Sequence, residues 1–515
     1  MDEKRTVFYK DFGACGDGVT DDFGAIKRCH EYANERGLSV KADEGKTYYI
    51  GDTFGEVISI RTDTDLTGAT FFIDDKAVPV ESEGRNAHIF TLDSSFPDWR
   101  KVYEEDSDIV KRFSSGFSKD IKNLGFEPGH KSIVYFYDKN NFAYNRFGTN
   151  GSVTPPPQSE FCVTDEVGNI IEDTGFLLDF SGVTRIETFR LDDEPITVKG
   201  GTFITNANDA PPEYTSYKRG FLVHRSNATL RDFEHKVIGE GEHGAPCSGF
   251  VKFIYTTNLL CENLILQAHK TYCDFYPDGK IRSRMGSYDI SGENSHNATF
   301  RSCTQSNFFK TDGSGRPWGQ TEYWGIMGSN YCKNITFDKC MLSRFDAHSG
   351  IRNVTIRDTA INNIHLIGGG TALIERTTSY AGTDSFIYLR GDYGSTWRGE
   401  IILKDCVYKT RKPDVYIAVA RYHNRKVFGG DVTHRPDFVI DNLRIEGEYD
   451  KVYVYNGPIT EGLPIADEVF PDGTVNENPV DLRSHVTVRN NKEGYNFLPA
   501  NDEYVAGFVT IEYEE

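Results

Sequence analysis

The sequence predicts an all-β chain, a single-stranded right-handed parallel β-helix with an N-terminal capping helix and a β-rich insertion. Three observations predict it. An asparagine followed by alternating apolar residues recurs along the chain at intervals built on a unit of roughly 19 to 20 residues, the mark of a coil repeat. The opening combines a glycine-rich turn with one short helical pattern. The composition, 49 glycines against four methionines in 515 residues, suits a turn-rich β protein.

The cap occupies residues 1–50. Asp11-Phe12-Gly13-Ala14-Cys15-Gly16-Asp17-Gly18 forms the glycine-rich turn, and Thr20, Asp21 and Asp22 supply an N-cap and negative charge for a helix start. Ala25, Ile26, Cys29 and Ala33 then recur at helical spacing, and Gly37 stands where the helix stops. A solenoid needs such a cap, because its first coil would otherwise expose a sheet edge.

Residues 51–195 read as early coils carrying an irregular insertion at about 80–190. Within it, 98–130 is charged and helical or loop-like, while 131–195 alternates like hairpin strands, broken by Pro155-Pro156-Pro157. The β-helix core follows over 196–433. Its repeats are Asn227-Ala-Thr-Leu, Asn263-Leu-Ile-Leu, Asn297-Ala-Thr-Phe, Asn334-Ile-Thr-Phe and Asn353-Val-Thr-Ile, with weaker continuations at Ala372 and Glu400. Several begin an Asn-x-Thr triplet, but their fixed phase favours an asparagine ladder at a coil turn over glycosylation acceptors. Cys303, Cys340 and Cys406 each fall six residues after a repeat start, which predicts free thiols stacked in a core ladder rather than disulfides. Residues 434–515 read as C-terminal coils and capping loops.

Composition also bounds function. A net charge of −20 argues against nucleic acid and against an anionic membrane surface, since either needs clustered Lys and Arg. No apolar run is long enough to span a bilayer. The start Met1-Asp2-Glu3-Lys4-Arg5 lacks the apolar core of a signal peptide, which fits a cytoplasmic protein or a secreted or periplasmic one whose signal was removed. No CxxC spacing supports a zinc site.

The stretch from Asp11 through Asp22, followed by its short helix, resembles the opening of the pectate-lyase-like (pectin-lyase-fold) superfamily. That group includes polygalacturonase-like hydrolases, polysaccharide lyases, uronan epimerases and phage tailspikes. The resemblance implies an extended carbohydrate partner gripped in a groove along one sheet. Aligning backwards from the repeat asparagines gives the groove strands as 285–292, 323–329, 345–350, 363–369 and 385–392. Inward positions there are apolar, so charged residues are expected to face the groove. Asp289, Glu293, Glu322, Asp346, His348, His365, Arg390 and Asp392 form that row.

The sharpest element is Phe345-Asp346-Ala347-His348. Asp346 and His348 are two apart on a strand and so share a face, and His365, one coil of 19 residues beyond Asp346, should stack about 4.8 Å away. Asp289, two coils before Asp346, would give a second carboxyl at the separation of an inverting hydrolase. The expected catalytic set is therefore Asp346 and Asp289 as acid and base, with His348 and His365 as their partners. Arg390, Asp392, Lys270, His269, Tyr272, His243 and Glu322 are expected to bind substrate. So are Arg316 and the aromatics Trp318, Tyr323, Trp324 and Trp397, whose flat faces suit sugar rings.

Two alternatives stay open beside a glycoside hydrolase. In a lyase, Lys270 and Tyr272 would act beside a substrate carboxylate neutralised by Arg282, Arg284 or Arg390. The Phe-Asp-x-His stretch also resembles uronan epimerases, where such a stretch carries proton transfer, although Ser343 stands where a tyrosine partner would be expected. Polygalacturonase-like Asn-Thr-Asp, Asp-Asp and Gly-His-Gly motifs are absent from the groove strands. A tailspike or adhesin that binds glycan without cutting is the non-catalytic competitor. No cofactor is expected, except calcium in the lyase case, and monomer and homotrimer are both open.

Overall fold

The computed structural model describes residues 6–142, 146–147, 153–154, 157–212, 216–246, 248–307, 309–311, 317–319, 325–380, 385–393, 395–420, 434–457 and 483–514. The chain falls into two compact units, Met1–Pro97 with Asp192–Gly328 and Asp338–Phe345, and Asp98–Leu191 with Ser329–Phe337 and Asp346–Glu515.

In the first unit the cap forms as the sequence predicts. Helix Phe23–Arg36 buries Ala25, Ile26, Cys29 and Ala33, and Gly37 ends it at φ 64°. Capping falls to Asp21, whose Oδ1 accepts the Phe23 N–H at 2.9 Å. Asp22 instead reaches back to the glycine turn and accepts the amides of Cys15 (2.6 Å) and Gly16 (3.0 Å). Gly16 sits at φ +59°, and a Cβ there would lie 2.8 Å from Lys46 Cβ, so the motif's glycine is fixed by both conformation and space.

Beyond the cap, strands Thr6–Phe8, Ser39–Lys41, Thr64–Asp65, Ile196–Lys199, Ala228–Arg231, Thr257–Glu262 and His296–Arg301 stack in parallel, each on the next. Thr70–Asp74 pairs with Thr202–Asn206, and Phe90–Leu92 with Phe221–Val223, so the coils run on to Leu92 before the insertion leaves them. Inward phenylalanines stack from coil to coil: Phe71 on Phe203 at 5.0 Å, and Phe90 on Phe221 at 4.9 Å between ring centroids.

The asparagine ladder exists, with one correction to its membership. Asn297 donates to Asn258 (2.5 Å), which donates to Asn227 (3.0 Å), all at positive φ. Strand register pairs Thr229 with Leu260, which makes Asn258, not Asn263, the coil mate of Asn227. Asn263 belongs to a second ladder at the opposite turn, donating to Asp232 at 3.0 Å. Both turns demand a left-handed residue, so asparagine appears at each and the sequence pattern slips between them. The cysteine expectation holds. Cys303, Cys340 and Cys406 are buried and free, and their thiols donate to carbonyls of neighbouring coils at 3.2–3.4 Å.

In the second unit, Ile351–Arg357, Gly368–Glu375, Trp397–Lys404, Asp437–Asp441, Ser484–Arg489 and Val509–Glu514 continue as parallel neighbours. Regular coils thus persist past His434. Another parallel run takes Ala360–Leu366, Ser385–Leu389, Asp414–Ala420, Lys451–Asn456 and Phe497–Ala500. The insertion is a four-stranded antiparallel sheet of Pro157–Thr164, Ser132–Phe142, Arg185–Arg190 and Arg100–Glu104, over a core that includes Phe113, Phe136, Phe176 and Phe180. Lys333, 1% exposed, ties a coil strand to it: its ammonium donates to Glu160 (2.8 Å) and to the carbonyls of Phe161, Thr174 and Gly175 (2.6–3.0 Å).

Candidate functional site

Strand Met341–His348 buries Phe345 and Ala347 in the core, which projects Asp346 and His348 together from its other face. On Ala360–Leu366, Ile364 and Leu366 turn inward and His365 outward. Strand Ser385–Leu389 then ends at Arg390, whose amide donates to the Leu366 carbonyl at 3.1 Å, while its own carbonyl accepts the amides of Tyr393 and Ser395.

These four side chains meet on one oxygen. Arg390 Nη1 donates to Asp346 Oδ1. The same oxygen lies 3.4 Å from His348 Nε2 and 3.6 Å from His365 Nδ1. Asp346 is only 2% exposed, whereas His348, His365 and Arg390 keep 19%, 14% and 13% of their side-chain surface in contact with solvent. Aromatic rings wall the group: Tyr388, the register partner of His365, at 4.9 Å from it, and Tyr393 at 6.1 Å from His348 and 5.2 Å below the Arg390 guanidinium. The guanidinium pairs with the carboxylate, and two imidazoles that can still reach a ligand lie beside it.

Asp289 is placed elsewhere. It is 0% exposed, with Oδ1 3.6 Å from Nδ1 of an equally enclosed His235. That imidazole stacks on Phe250 at 3.7 Å and shares a hydrogen bond with Thr205 at 3.0 Å. Burial pulls His235 below the usual histidine range, opposed by Asp289. A strand carboxylate thus need not face solvent when an interior imidazole receives it, and a sugar chain on the surface does not reach this one.

Around Glu240 a third group gathers. Its Oε1 accepts the Lys270 amide (2.9 Å) and the Tyr272 hydroxyl (3.0 Å) and lies 3.5 Å from His269 Nδ1. Burial pushes the Glu240 carboxyl up, but these contacts outweigh it and hold the group below its ordinary range. His269 and Tyr272 are almost fully buried, and the Lys270 ammonium lies 5.3 Å from the Tyr272 ring centroid. The structure therefore uses this cluster as an interior brace. His243 is exposed on a neighbouring loop.

Trp397 is fully buried, its indole N–H donating to the Gly370 carbonyl at 3.2 Å, so it serves the core and offers no face to a sugar. Arg316, Glu322, Tyr323 and Trp324 lie outside the described residues, as do the side chains of Trp318 and Asp392. Tyr388 was not singled out from sequence. Its signal was its place between inward Ile387 and Leu389, which makes it the outward residue of its strand. Among the described residues, no group of three or more His, Cys, Asp or Glu side chains is arranged to hold a metal ion.

No family model matches the sequence, and no curated protein does. Solved structures do. The tailspike gp49 from Pseudomonas phage LKA1 is 12% identical with a TM-score of 0.50, covering 98% of this chain and 84% of the tailspike. The gp54 tailspike of Acinetobacter baumannii bacteriophage AP22, in complex with capsular saccharide, is also 12% identical, with a TM-score of 0.45 over 98% of this chain and 79% of the other. An exopolygalacturonase from Thermotoga maritima is 11% identical, with a TM-score of 0.33 over 100% and 91%. With the parallel topology above, the likeness to the LKA1 tailspike shows the fold: the protein is a right-handed parallel β-helix.

Proposed function

We propose that this protein is a carbohydrate-active enzyme that transfers protons on an acidic polysaccharide, with the Asp346–His348–His365–Arg390 group as its reaction centre. The observation that carries this is the make-up of that group. A glycoside hydrolase of the usual kind needs two carboxyl groups at the bond it cuts. The described residues supply one here, already paired with a guanidinium and flanked by two imidazoles.

Imidazoles beside a carboxylate are suited to taking and returning protons. On a uronic acid, the proton on C5 is acidified by the neighbouring carboxylate. One histidine removes it, and the electron pair passes into the carboxylate. Expulsion of the substituent oxygen on C4 then gives an unsaturated sugar, the lyase outcome. Return of a proton from the opposite face gives the epimer. Asp346 balances the charge that appears on the imidazole, and Arg390 supplies positive charge where the substrate carboxylate becomes more negative.

Incubation with a panel of uronate-containing and neutral polysaccharides tests this. The expected result is an ultraviolet-absorbing product, or deuterium taken up from solvent without chain cleavage, on acidic glycans only. His348→Ala and Asp346→Asn should each lower turnover by about a hundredfold or more, the usual scale of general acid–base catalysis. New reducing ends without absorbance would replace this reading with hydrolysis. Tight binding without turnover, unaltered in Asp346→Asn, would make the protein a glycan-binding module.

A further inference from the structure

The antiparallel insertion carries a cavity of about 300 Å³ beside its own core, lined only by residues of the segment Asp98–Leu191. Val110 and Val183, both part of that core, supply its apolar lining. Asp138, Asn140 and Asn141, at the end of strand Ser132–Phe142, supply its polar lining together with Ser114 and Ser181. It shares no residue with the Asp346 centre.

Local sequence builds this lining. Along Ser132–Phe142, Val134 and Phe136 face the insertion core, and Asp138, two residues further, falls on the same face. A carboxylate thus stands where alternation calls for an apolar side chain. It is 1% exposed, and among the described residues no cation pairs with it. The backbone amide of Asn140 (3.0 Å) and the side-chain amide of Asn141 donate to its two oxygens. The strand then bulges. Asp138 pairs with Gln158 but Phe142 with Pro157, so Lys139, Asn140 and Asn141 have no residue opposite them. Proline brings no N–H to a ladder, and a bulge re-aims the side chains it carries. Lys139 goes to Glu105, at 2.7 Å, and answers the other carboxylate of the lining. Gly182 keeps the space open. A Cβ there would stand 3.4 Å from both Asp138 Oδ2 and the Ser114 carbonyl oxygen, so a larger side chain would enter the cavity.

We propose that this cavity binds one uncharged sugar ring. Each Asp138 oxygen holds one hydrogen bond and keeps a second lone pair for a ligand. A carboxylate only accepts, whereas the amides of Asn140 and Asn141 and the Ser181 hydroxyl carry donors and acceptors together. A ligand hydroxyl uses both kinds at once, donating to Asp138 while it accepts from an amide or a hydroxyl. An ammonium or a metal ion has nothing with which to accept. The two valines suit the C–H face of a ring, and the volume lies at the small end of ligand pockets. Asp138 and Glu105 disfavour a carboxylate on the ligand, so the sugar differs in class from the uronate proposed for the Asp346 centre. The lining alone carries this assignment, independently of that centre.

Calorimetry on the full chain tests it. The probes are the methyl glycosides of glucose, galactose and mannose, the methyl glycoside of glucuronic acid, and calcium chloride. At least one neutral glycoside should bind, with millimolar affinity. Gly182→Val, which fills the cavity, and Asn140→Ala, at an exposed position, should each weaken that binding about tenfold or more. If Gly182→Val fails to fold, Asn140→Ala decides alone. No binding of any neutral glycoside, equal affinity for the glucuronide, or unchanged affinity in the folded variants would overturn the site. Calcium bound instead of sugar, and lost in Asp138→Asn, would overturn its assignment to a sugar. The readout is binding, so failure here is separate from failure of the reaction centre, which is read as product lost in His348→Ala.

Discussion

At the scale of the residue, the structure separates charges that face a ligand from charges that hold the chain together. Asp346 and Asp289 have the same sequence credentials, a carboxylate on a strand amid apolar neighbours. Period-two alternation placed Asp346 and His348 on one face, and a coil of 19 residues brought His365 beside them, so that group was readable from spacing alone. Asp289 was not, because what encloses it is His235, a residue from another coil whose own inward position carries no signal beyond being polar. Lys333 is the plainest structural charge. Burial pulls its ammonium down, and Glu160 opposes that. Lys333→Met would leave Glu160 buried, answered among the described residues by the Leu177 amide. We expect a loss of about 3–5 kcal/mol, the usual cost of breaking a buried pair, read as a lower urea midpoint. Adding Glu160→Gln should recover part of it. If the single variant unfolds like the parent, the latch contributes nothing.

At the scale of the element, the coil turn decides stability. Asn258 holds φ 58° and lies in the middle of the amide ladder, donating to Asn227 and accepting from Asn297. Two costs can be told apart there. Asn258→Gly keeps the left-handed backbone but removes the amide; Asn258→Ala removes the amide and also strains the backbone, by about 1–2 kcal/mol. Alanine should therefore be the more destabilising of the two by about that amount, less whatever glycine loses through its greater freedom in the unfolded chain. Equal losses would mean that the ladder, not the conformation, selects asparagine. The same double demand explains why the repeat was legible while its register was not. Asparagine suits every left-handed turn of a coil, and this coil has two, so Asn258 and Asn263 compete for one place in a pattern search.

At the scale of the whole molecule, the response to acid follows from what the core buries. His30 is fully enclosed, its Nε2 sharing a hydrogen bond with the Tyr9 hydroxyl at 3.0 Å, and burial pushes it down from 6.5 to about 3. His88 is pushed down to about 3 as well, chiefly by burial, with Lys252, Lys218 and His224 adding to it. Both stay neutral in the folded chain through mildly acid pH, while the unfolded chain protonates them below 6.5. The unfolded state therefore binds more protons between pH 6.5 and about 3, and stability must fall as pH falls through that window. Each histidine contributes at most about 1.4 kcal/mol per pH unit there. Melting temperatures taken from neutral pH down to pH 4.5 should drop steadily, and His30→Gln with His88→Gln should lower the neutral-pH value yet flatten the slope, since neither amide titrates. The charge of −20 works in the opposite sense at lower pH, because protonating surface carboxylates relieves repulsion and would stabilise the fold. The sign of the slope just below pH 6.5, where the histidines titrate and most carboxylates do not, therefore decides between the two. A melting temperature that does not fall there would show that the buried imidazoles do not govern the acid response.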